Sequence, residues 1–356
     1  MITIAFTGGG TGGHIYPGLA VAAALEKLTP CRIFWIGSAA GMDRSIVEEA
    51  GFAFFGVPSG KLRRYFSLRN LSDIFKIGAG FFMARSILKK ERPGLLFSKG
   101  GFVSVPPCAA AATLRIPVFT HESDYSPGLA TRINARFAAR IFTAYEETAA
   151  FFPRAFRERV VTAGNPVRPG FRNASAEAGR AFLGIGPEAR ILLVLGGSLG
   201  AREINELVRE CLPKLTEYYT VVHQTGPQQD WGIPPSERYR PYAYIREEMP
   251  HIVAAAELVL GRSGAGTVWE AATAGKPMIL IPLRGSGTRG DQVENAAFFE
   301  KAGAAVVIGG GDLAETVAAL AEDAERRNDM AAASARMGSR DGAECIARFL
   351  VRETGP

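Results

Sequence analysis

A glycine-rich stretch near the N-terminus has the residue types and spacing of a phosphate-binding turn. Residues 8–18 read GGGTGGHIYPG, with five glycines and His14 in the first seven positions. The apolar run 2–7 before it predicts a buried strand, and the run 19–25 after it predicts a helix with Pro17 in its first turn. Glycines let a ligand approach the backbone, and the free N–H groups of a helix start attract anions. The alternative is an ordinary strand-to-helix turn without a ligand.

Two further glycine clusters follow predicted strands. The sequence SKGGFVS at 98–104 follows the strand predicted at 95–98, and GGSLG at 196–200 follows the strand predicted at 191–195. The turns at 8–13 and 98–104 could hold a diphosphate between them, and Lys99 adds a positive charge. The turn at 196–200 repeats the opening pattern of strand, glycine turn and helix.

Three polar segments also follow predicted strands. In His121-Glu122-Ser123-Asp124, the adjacent His and carboxylate could do acid–base chemistry, or Glu122 could orient the backbone. In GRSGAGTVWE at 261–270, Glu270 could bind both hydroxyls of a ribose, or serve as an acid near a helix start. The amide-rich sequence GDQVENA at 290–296 could form hydrogen bonds with sugar hydroxyls.

These turns require parallel strands alternating with helices. The chain of 356 residues is too long for one typical core, so we expect two domains. Predicted strands lie at 2–7, 32–36, 52–57, 95–98, 117–121, 140–143 and 160–163, then at 191–195, 220–223, 242–245, 258–260, 278–281 and 305–308. Prolines and glycines at 164–170 indicate a linker. The fold class is therefore α/β, with two Rossmann-like, doubly wound parallel-sheet domains facing across a cleft.

Cysteine usage and hydropathy restrict the compartment. The four cysteines are far apart and lack CxxC spacing, which indicates reduced packing residues in a cytoplasmic protein: Cys31, Cys108, Cys211 and Cys345. The N-terminus enters a strand, so we expect no cleaved signal peptide, and no apolar run reaches 18 residues.

Positive charge is concentrated in the first half. Residues 1–168 hold 21 Lys and Arg against 11 Asp and Glu, whereas residues 169–356 hold 20 against 24. Segment 61–92 is basic and amphipathic, which favours either an anionic membrane surface or a core-packed helix with a solvated basic side. The basic residues do not alternate with stacking aromatics, so we expect no nucleic acid partner.

Seven motifs in order resemble one family. They are GGGTGGHIYPGLA, SKGGFVS, HESDYSPGLA, GNPVR, GGSLGA, GRSGAGTVWE and GDQVENA, and they span the chain to about residue 310. This sequence resembles the MurG family, the UDP-N-acetylglucosamine:N-acetylmuramyl-(pentapeptide) pyrophosphoryl-undecaprenol N-acetylglucosaminyltransferases of glycosyltransferase family 28. The resemblance implies a GT-B fold and transfer of GlcNAc to undecaprenyl-diphospho-MurNAc-pentapeptide (lipid I), which gives lipid II for peptidoglycan.

The resemblance also implies an organisation and partners. We expect an N-terminal acceptor and membrane-binding domain at 1–166, a C-terminal UDP-GlcNAc-binding domain at 167–339, and a terminal helix within 340–356 on the first domain. Partners would be UDP-GlcNAc, lipid I, the anionic cytoplasmic face of the inner membrane, and other cell-wall synthesis proteins. No cofactor and no bound metal are expected. The protein would be a peripheral membrane protein.

Site roles carry over to matching positions. Gly9, Gly10, Gly100 and Gly101 would bind the acceptor diphosphate, and His14 would be the catalytic base. Donor contacts are expected at Thr11, Gly12, Gly13, Asp124, Arg168, Ser198, Ile245, Arg262, Ala265, Gly266, Thr267, Val268, Trp269, Glu270, Gln292 and Asn295. Membrane contacts are expected at Phe75, Phe81, Phe82, Arg85 and Lys89.

Within the donor set, Ser198 would meet the UDP diphosphate and the Ile245 backbone would read uracil. Glu270 would hold the ribose, and Gln292 with Asn295 would meet GlcNAc. The usual HEQN of the family is HESD here. Asp124 therefore replaces an amide and cannot donate a hydrogen bond, which leaves its donor contact open.

The implied chemistry is a single displacement. The 4-hydroxyl of MurNAc attacks the anomeric carbon of GlcNAc, UDP leaves, and the configuration inverts. An imidazole, with an unperturbed pKa of about 6.5, can take the hydroxyl proton at neutral pH. The sequence has no DxD triplet, so the amides of 196–200 and Arg262 would stabilise the leaving diphosphate.

Three other functions share parts of this pattern. A dinucleotide-dependent dehydrogenase needs an acid after the second strand, where this chain has GSAA at 37–40. A sugar-nucleotide epimerase would have no use for a basic amphipathic segment. A non-catalytic sugar-nucleotide sensor would bind without turnover.

Overall fold

The computed structural model describes residues 2–60, 68–197, 200–227, 232–285, 288–309 and 312–354, with the side chains of 68–72 outside this description. The chain forms two compact units. The first comprises Met1–Val167 and Asp341–Pro356, and the second comprises Arg168–Arg340.

The first unit is built on a parallel sheet of seven described strands, in the order β3-β2-β1-β4-β5-β6-β7. The strands are β1 Ile2–Thr7, β2 Cys31–Ser38, β3 Ala53–Val57, β4 Leu95–Ser98, β5 Val118–Glu122, β6 Ala138–Thr143 and β7 Val160–Thr162. The helices are α1 Gly12–Leu28, α2 Asp43–Glu49, α3 Leu68–Glu91, α4 Val105–Thr113, α5 Leu129–Asn134, α6 Arg154–Arg157 and, from the end of the chain, α14 Gly342–Thr354.

Both faces of this sheet are covered, because its strands are apolar on both sides. In β1, Ile4 and Phe6 face a core shared with α1 and α14, whereas Ala5 faces a core shared with α3 and α4. Residues i and i+2 of a strand share a face, so one short apolar run serves two cores. Phe349 of α14 packs edge-on to Phe142, with ring centroids 5.2 Å apart.

The second unit repeats the architecture with six described parallel strands, in the order β10-β9-β8-β11-β12-β13. The strands are β8 Ile191–Leu195, β9 Thr220–Gln224, β10 Tyr239–Tyr242, β11 Leu258–Gly261, β12 Met278–Leu280 and β13 Ala305–Val307. The helices are α7 Ala176–Leu183, α8 Arg202–Tyr218, α9 Met249–Ala255, α10 Ala265–Thr273, α11 Asp291–Lys301, α12 Leu313–Glu322 and α13 Ala324–Gly338. In both sheets the first strand lies at the position where the strand order reverses, and ligands of such sheets bind at the carboxyl ends beside it.

One predicted strand is misplaced. The segment predicted at 242–245 enters the sheet three residues earlier, as β10, in which Tyr239 pairs with Val221 of β9. Because β10 is an edge strand, Pro241 costs the sheet no hydrogen bond on its open side. The apolar side chain of Ile245, which suggested a strand, is buried beyond the strand end.

The helix α3 has two different sides. Phe75 and Phe82 are 73% and 71% exposed, and Lys89 continues their stripe at seven-residue spacing. Phe81 instead packs against the core formed with Ala84. The membrane contact predicted at Phe81 stays a prediction, and its half-buried ring is less available to a bilayer than those of Phe75 and Phe82. No helix among the described residues is long and apolar enough to cross a membrane.

Candidate active site

The first glycine turn joins β1 to α1 and is held by a buried carboxylate. The N–H of Gly10 donates to both oxygens of Asp43, at 2.9 and 3.1 Å, and the N–H of Ser38 donates to the same carboxylate at 3.0 Å. A Cβ at Gly9 would lie 1.9 Å from Asp43 Oδ2, so the turn closes on this side chain only with glycine. Burial raises the pKa of Asp43, and the two backbone hydrogen bonds oppose that rise.

Sequence reasoning missed Asp43. It lies at the first position of α2, five residues beyond Ser38 at the end of β2. The available signal was an acid shortly after the second strand, a region where dinucleotide-binding folds keep a ribose-binding acid. Here that carboxylate is bound to Gly10 and Ser38 of its own chain.

The second glycine turn follows β4 and packs on the first. Gly101 has a φ of 78°, and a Cβ there would lie 2.8 Å from Gly9 O and 2.9 Å from His14 Cδ2. A Cβ at Gly100 would lie 3.9 Å from His14 Nδ1. The two turns and the imidazole therefore pack together. The residues brought together are Gly9, Gly10, Gly100, Gly101 and His14, which the sequence predicts to form one site.

His14 is the third residue of α1, and its backbone N–H donates to Thr11 O at 3.1 Å. Its side chain is half-buried, whereas Thr11 and Gly13 are exposed at the helix start. A partly exposed imidazole beside a helix start that can bind an anion is placed to exchange a proton with a bound hydroxyl.

A pocket of about 370 Å³ opens beside the first glycine turn. Its lining includes Gly10 and Phe102 from the two glycine turns and the polar residues Ser38, Ser59 and Asp73. A pocket of this size accommodates a sugar or a short peptide segment.

The carboxylate of Glu122 is used to shape its own turn. Its Oε1 accepts from the N–H groups of Ser123 and Asp124 at 3.0 and 3.1 Å, and its Oε2 accepts from that of Gly128 at 2.9 Å. His121 is buried, its Nε2 lies 3.0 Å from Gly164 O, and burial lowers its pKa well below the ordinary value. Of the two interpretations of this segment, the geometry favours orientation of the backbone over acid–base chemistry.

In the second unit, a glycine turn again joins the first strand, β8, to a helix, α8. A Cβ at Gly200, whose φ is 76°, would lie 2.2 Å from Thr225 O. The predicted diphosphate contact at Ser198 lies outside the described residues. Arg262 is buried. Its Nη2 donates to Glu203 of α8 at 2.5 Å, and its Nη1 donates to Ile281 O at 3.0 Å. The Arg262 guanidinium therefore reaches the start of α8 with one carboxylate already bound.

The start of α10 has partly exposed residues followed by buried ones. Ala265, Gly266 and Thr267 form its first turn and are half-buried or exposed. Val268 and Trp269 are buried, and the Trp269 ring meets a core phenylalanine edge-on at 5.4 Å. Their side chains therefore pack in the core, and the donor contacts predicted at these two positions would have to come from the backbone.

Glu270 forms an ion pair with Arg168. The guanidinium Nε and Nη2 both lie 3.0 Å from Glu270 Oε1. Burial raises the pKa of Glu270, and the Arg168 charge and hydrogen bond oppose that rise. These two predicted donor residues are 102 positions apart in the chain and meet directly.

Gln224 links two predicted donor positions. Its Oε1 accepts from the Ile245 N–H at 2.9 Å, and its Nε2 donates to Gly197 O at 3.3 Å. A uracil ring recognised by the Ile245 backbone would therefore donate a hydrogen bond to the Ile245 carbonyl oxygen, or it would displace Gln224 from the Ile245 N–H. No motif pointed to Gln224, which is the last residue of β9.

Gln292 and Asn295 lie on one side of α11 and contact loops of the same unit. Gln292 Oε1 accepts from the Leu283 N–H at 3.0 Å, which leaves its amide nitrogen as the donor toward a ligand. Asn295 is fully buried and donates to Ser263 O at 3.1 Å. From its buried position, Asn295 therefore holds the loop that contains Ser263.

Within the described parts of the chain, no three His, Cys, Asp or Glu side chains are grouped as metal ligands would be. Each unit instead offers glycine turns and helix starts at the carboxyl edge of a parallel sheet. Two Rossmann-like units with this organisation define the α/β class called GT-B.

Comparisons with known proteins agree with that class. The glycosyltransferase family 28 N-terminal domain matches residues 4–143, and the family 28 C-terminal domain matches residues 191–346. A solved structure of Acinetobacter baumannii MurG shares the fold, with a TM-score of 0.77 and 24% identity over 99% of this chain and 100% of that one.

Two curated relatives carry the name UDP-N-acetylglucosamine–N-acetylmuramyl-(pentapeptide) pyrophosphoryl-undecaprenol N-acetylglucosamine transferase. The protein from Treponema denticola is 48% identical over 98% of this chain and 97% of its own length. The protein from Shouchella clausii is 45% identical over 86% of each chain. The chain belongs to glycosyltransferase family 28 and, within it, to the MurG family. The resemblance seen in the seven motifs is thereby confirmed.

Proposed function

We propose that this protein transfers N-acetylglucosamine from UDP-N-acetylglucosamine to the 4-hydroxyl of MurNAc in lipid I, yielding lipid II for peptidoglycan synthesis. The observation that carries this proposal is the 48% identity to a transferase of that name over 98% of the chain. The glycine turns of both units supply the anion-binding backbone that two diphosphate substrates need.

The first unit binds the acceptor in this proposal. The turns at Gly9–Gly10 and Gly100–Gly101 lack side chains, so the lipid diphosphate can approach their backbone closely. The N–H groups of Gly10 and Gly100 donate to Asp43 and to Ser98 Oγ, so the other N–H groups of the two turns would bind the diphosphate. The pocket beside Gly10 is large enough for part of the MurNAc-peptide, which agrees with its mixed polar and apolar lining.

His14 removes the proton from the acceptor 4-hydroxyl. As that oxygen bonds to the anomeric carbon of GlcNAc, the bond from this carbon to the UDP diphosphate breaks and the configuration inverts. The proton goes to the His14 imidazole, and the electron pair of the broken bond goes to the departing UDP. His14 must be neutral to act as the base.

The second unit binds the donor. Glu270, oriented by Arg168, accepts hydrogen bonds from the ribose hydroxyls, and Gln292 donates from its amide nitrogen to the sugar. The glycine turn before α8 and the helix start carry the UDP diphosphate. As UDP leaves, its growing charge is stabilised by these N–H groups and by Arg262.

The exposed side of α3 gives the protein a membrane-binding surface, defined by Phe75, Phe82, Arg85 and Lys89. A lipid-linked acceptor keeps its diphosphate at the bilayer surface, so the enzyme must work there. Two exposed phenylalanines beside basic residues suit the interface of an anionic bilayer. We therefore place the protein at the cytoplasmic face of the inner membrane, as a peripheral protein.

Replacing both exposed phenylalanines by serine, Phe75→Ser with Phe82→Ser, is expected to weaken binding to anionic lipid vesicles at least about tenfold, because buried apolar area is lost. Vesicle pelleting measures this. Phe182→Ser in the second unit, where the ring is 44% exposed, is the matched control and should bind as wild type. Equal pelleting of the double variant would exclude this surface.

The proposed function is tested by incubating the protein with UDP-GlcNAc and a short-chain lipid I analogue. The expected result is UDP release matched mole for mole by a GlcNAc-bearing product with a β-linkage. Consumption of UDP-GlcNAc without the acceptor, giving an epimeric sugar nucleotide, would indicate an epimerase. Binding of UDP-GlcNAc with no turnover under any condition would indicate a sensor.

A further inference from the structure

Lys99 is a buried lysine to which the proposed reaction assigns no role. It lies between Ser98 and Gly100 in the second glycine turn and is only 2% exposed. A lysine is rarely buried unless its ammonium has a partner, because desolvation of the charge is costly.

The ammonium begins a directed chain of hydrogen bonds. Lys99 Nζ donates to Ser123 Oγ at 2.7 Å, and Ser123 Oγ donates to Asn165 Oδ1 at 2.5 Å. The backbone N–H of Lys99 donates to Thr7 O at 2.8 Å. Lys99 thereby ties together the ends of β1 and β4, the turn after β5, and the segment after β7.

Burial and the neighbouring carboxylates have opposite effects on the pKa of Lys99. Burial lowers the pKa of Lys99 to about 8, while the carboxylates of Glu122 and Asp124 oppose that shift. The three backbone N–H groups already bound to Glu122 neutralise part of its charge. Asp124 is half-exposed, and its carboxylate interacts electrostatically with the buried Lys99 ammonium.

We propose that Lys99 is a positioning residue for the transfer reaction, which holds the turn of residues 121–124 against the second glycine turn and keeps a positive charge behind the glycines that bind the acceptor diphosphate. This inference rests on the proposed function. At an effective dielectric constant of about 20, one charge acts over several ångströms with enough energy to change substrate affinity roughly tenfold.

The test is Lys99→Met, which keeps the length and apolar stem of the side chain and removes the charge. KM for a short-chain lipid I analogue should rise roughly tenfold at pH 7. Wild-type KM should itself rise as the pH passes through about 8, because Lys99 is charged below that value and neutral above it. The variant should lack this alkaline rise and match wild type above about pH 9, while KM for UDP-GlcNAc stays unchanged.

Other titratable groups near the turn do not produce the same signal. They are His14, His121, Glu122 and Asp124, which are imidazoles and carboxylates rather than amines. Burial raises the pKa of Cys108 to about 12, so its thiol stays neutral over this range. Lys27→Met, an exposed lysine at the end of α1, is the matched control and should behave as wild type.

A second variant guards against loss of folding. Ser123→Ala keeps the positive charge of Lys99 but removes the hydroxyl that accepts its hydrogen bond. KM for the lipid I analogue should therefore rise, while its increase at alkaline pH remains. If Lys99→Met keeps the alkaline rise, or folded Lys99→Met and Ser123→Ala both leave KM for the acceptor unchanged, the inference is overturned. Absence of transfer by the wild-type protein would instead refute the proposed function.

Discussion

His14→Ala is expected to lose about 10²–10⁴-fold in turnover while binding UDP-GlcNAc with unchanged affinity. The imidazole is the half-buried base candidate that packs against both glycine turns of the first unit. Most of the expected donor-binding residues belong to the second unit, and those of the first unit, Thr11, Gly12, Gly13 and Asp124, keep their own groups in this variant. Product formation measures the loss, and calorimetry measures donor affinity.

His251→Ala is the matched control, because it removes an imidazole whose Nδ1 accepts from the Ser175 N–H in the second unit. It should retain near wild-type turnover. Near-normal turnover of His14→Ala would exclude His14 as the base. Asp124 would then be the next candidate, because Glu122 already accepts three backbone hydrogen bonds.

Gly101→Ala is expected to reduce kcat/KM for the acceptor at least about a hundredfold, since an ångström of misplacement at a reacting group costs about that much. The new methyl group would meet Gly9 O at 2.8 Å and His14 Cδ2 at 2.9 Å, so the two turns and the imidazole must separate. The φ of 78° adds about 1–3 kcal/mol of backbone strain. Steady-state kinetics with a lipid I analogue, together with thermal unfolding, measure both effects.

Gly51→Ala separates strain from displacement. Gly51 has a similar φ of 85°, and a Cβ there meets no atom within 4 Å. It should lose comparable stability but keep its activity at temperatures where it is folded. If both variants lose stability and both keep kcat/KM, the packing of the two glycine turns on His14 does not matter for catalysis.

The architecture was accessible from the sequence because its signals are local. A buried parallel strand is a short apolar run, and a ligand-binding strand end is a glycine cluster directly after it. The strand predicted at 2–7 is β1, and most other predicted strands differ from the observed ones by only a few residues. The exception is β10, where Pro241 in an edge strand hid the pairing.

The roles of polar side chains depended on distant partners. Asp43 lies 33 residues from Gly10, whose N–H donates to its carboxylate. Lys99 lies 24 residues from Ser123, whose hydroxyl oxygen accepts a hydrogen bond from its ammonium. Helical phase turns Trp269 into the core although it neighbours Glu270 in the motif. The order of strands in the sheet determines which of these residues meet, and a local sequence pattern does not predict that order.

By itself, the sequence determined the parallel α/β class, the positions of the glycine turns and the family, because each is written in contiguous residues. The tertiary structure alone decided which of the polar residues can meet a ligand. It directs Glu122 and Asp43 onto backbone N–H groups, buries the Lys99 charge and exposes only one side of α3. The physical reason is that a charge or hydrogen-bonding group acts through its nearest partners, and folding brings those partners from distant parts of the chain.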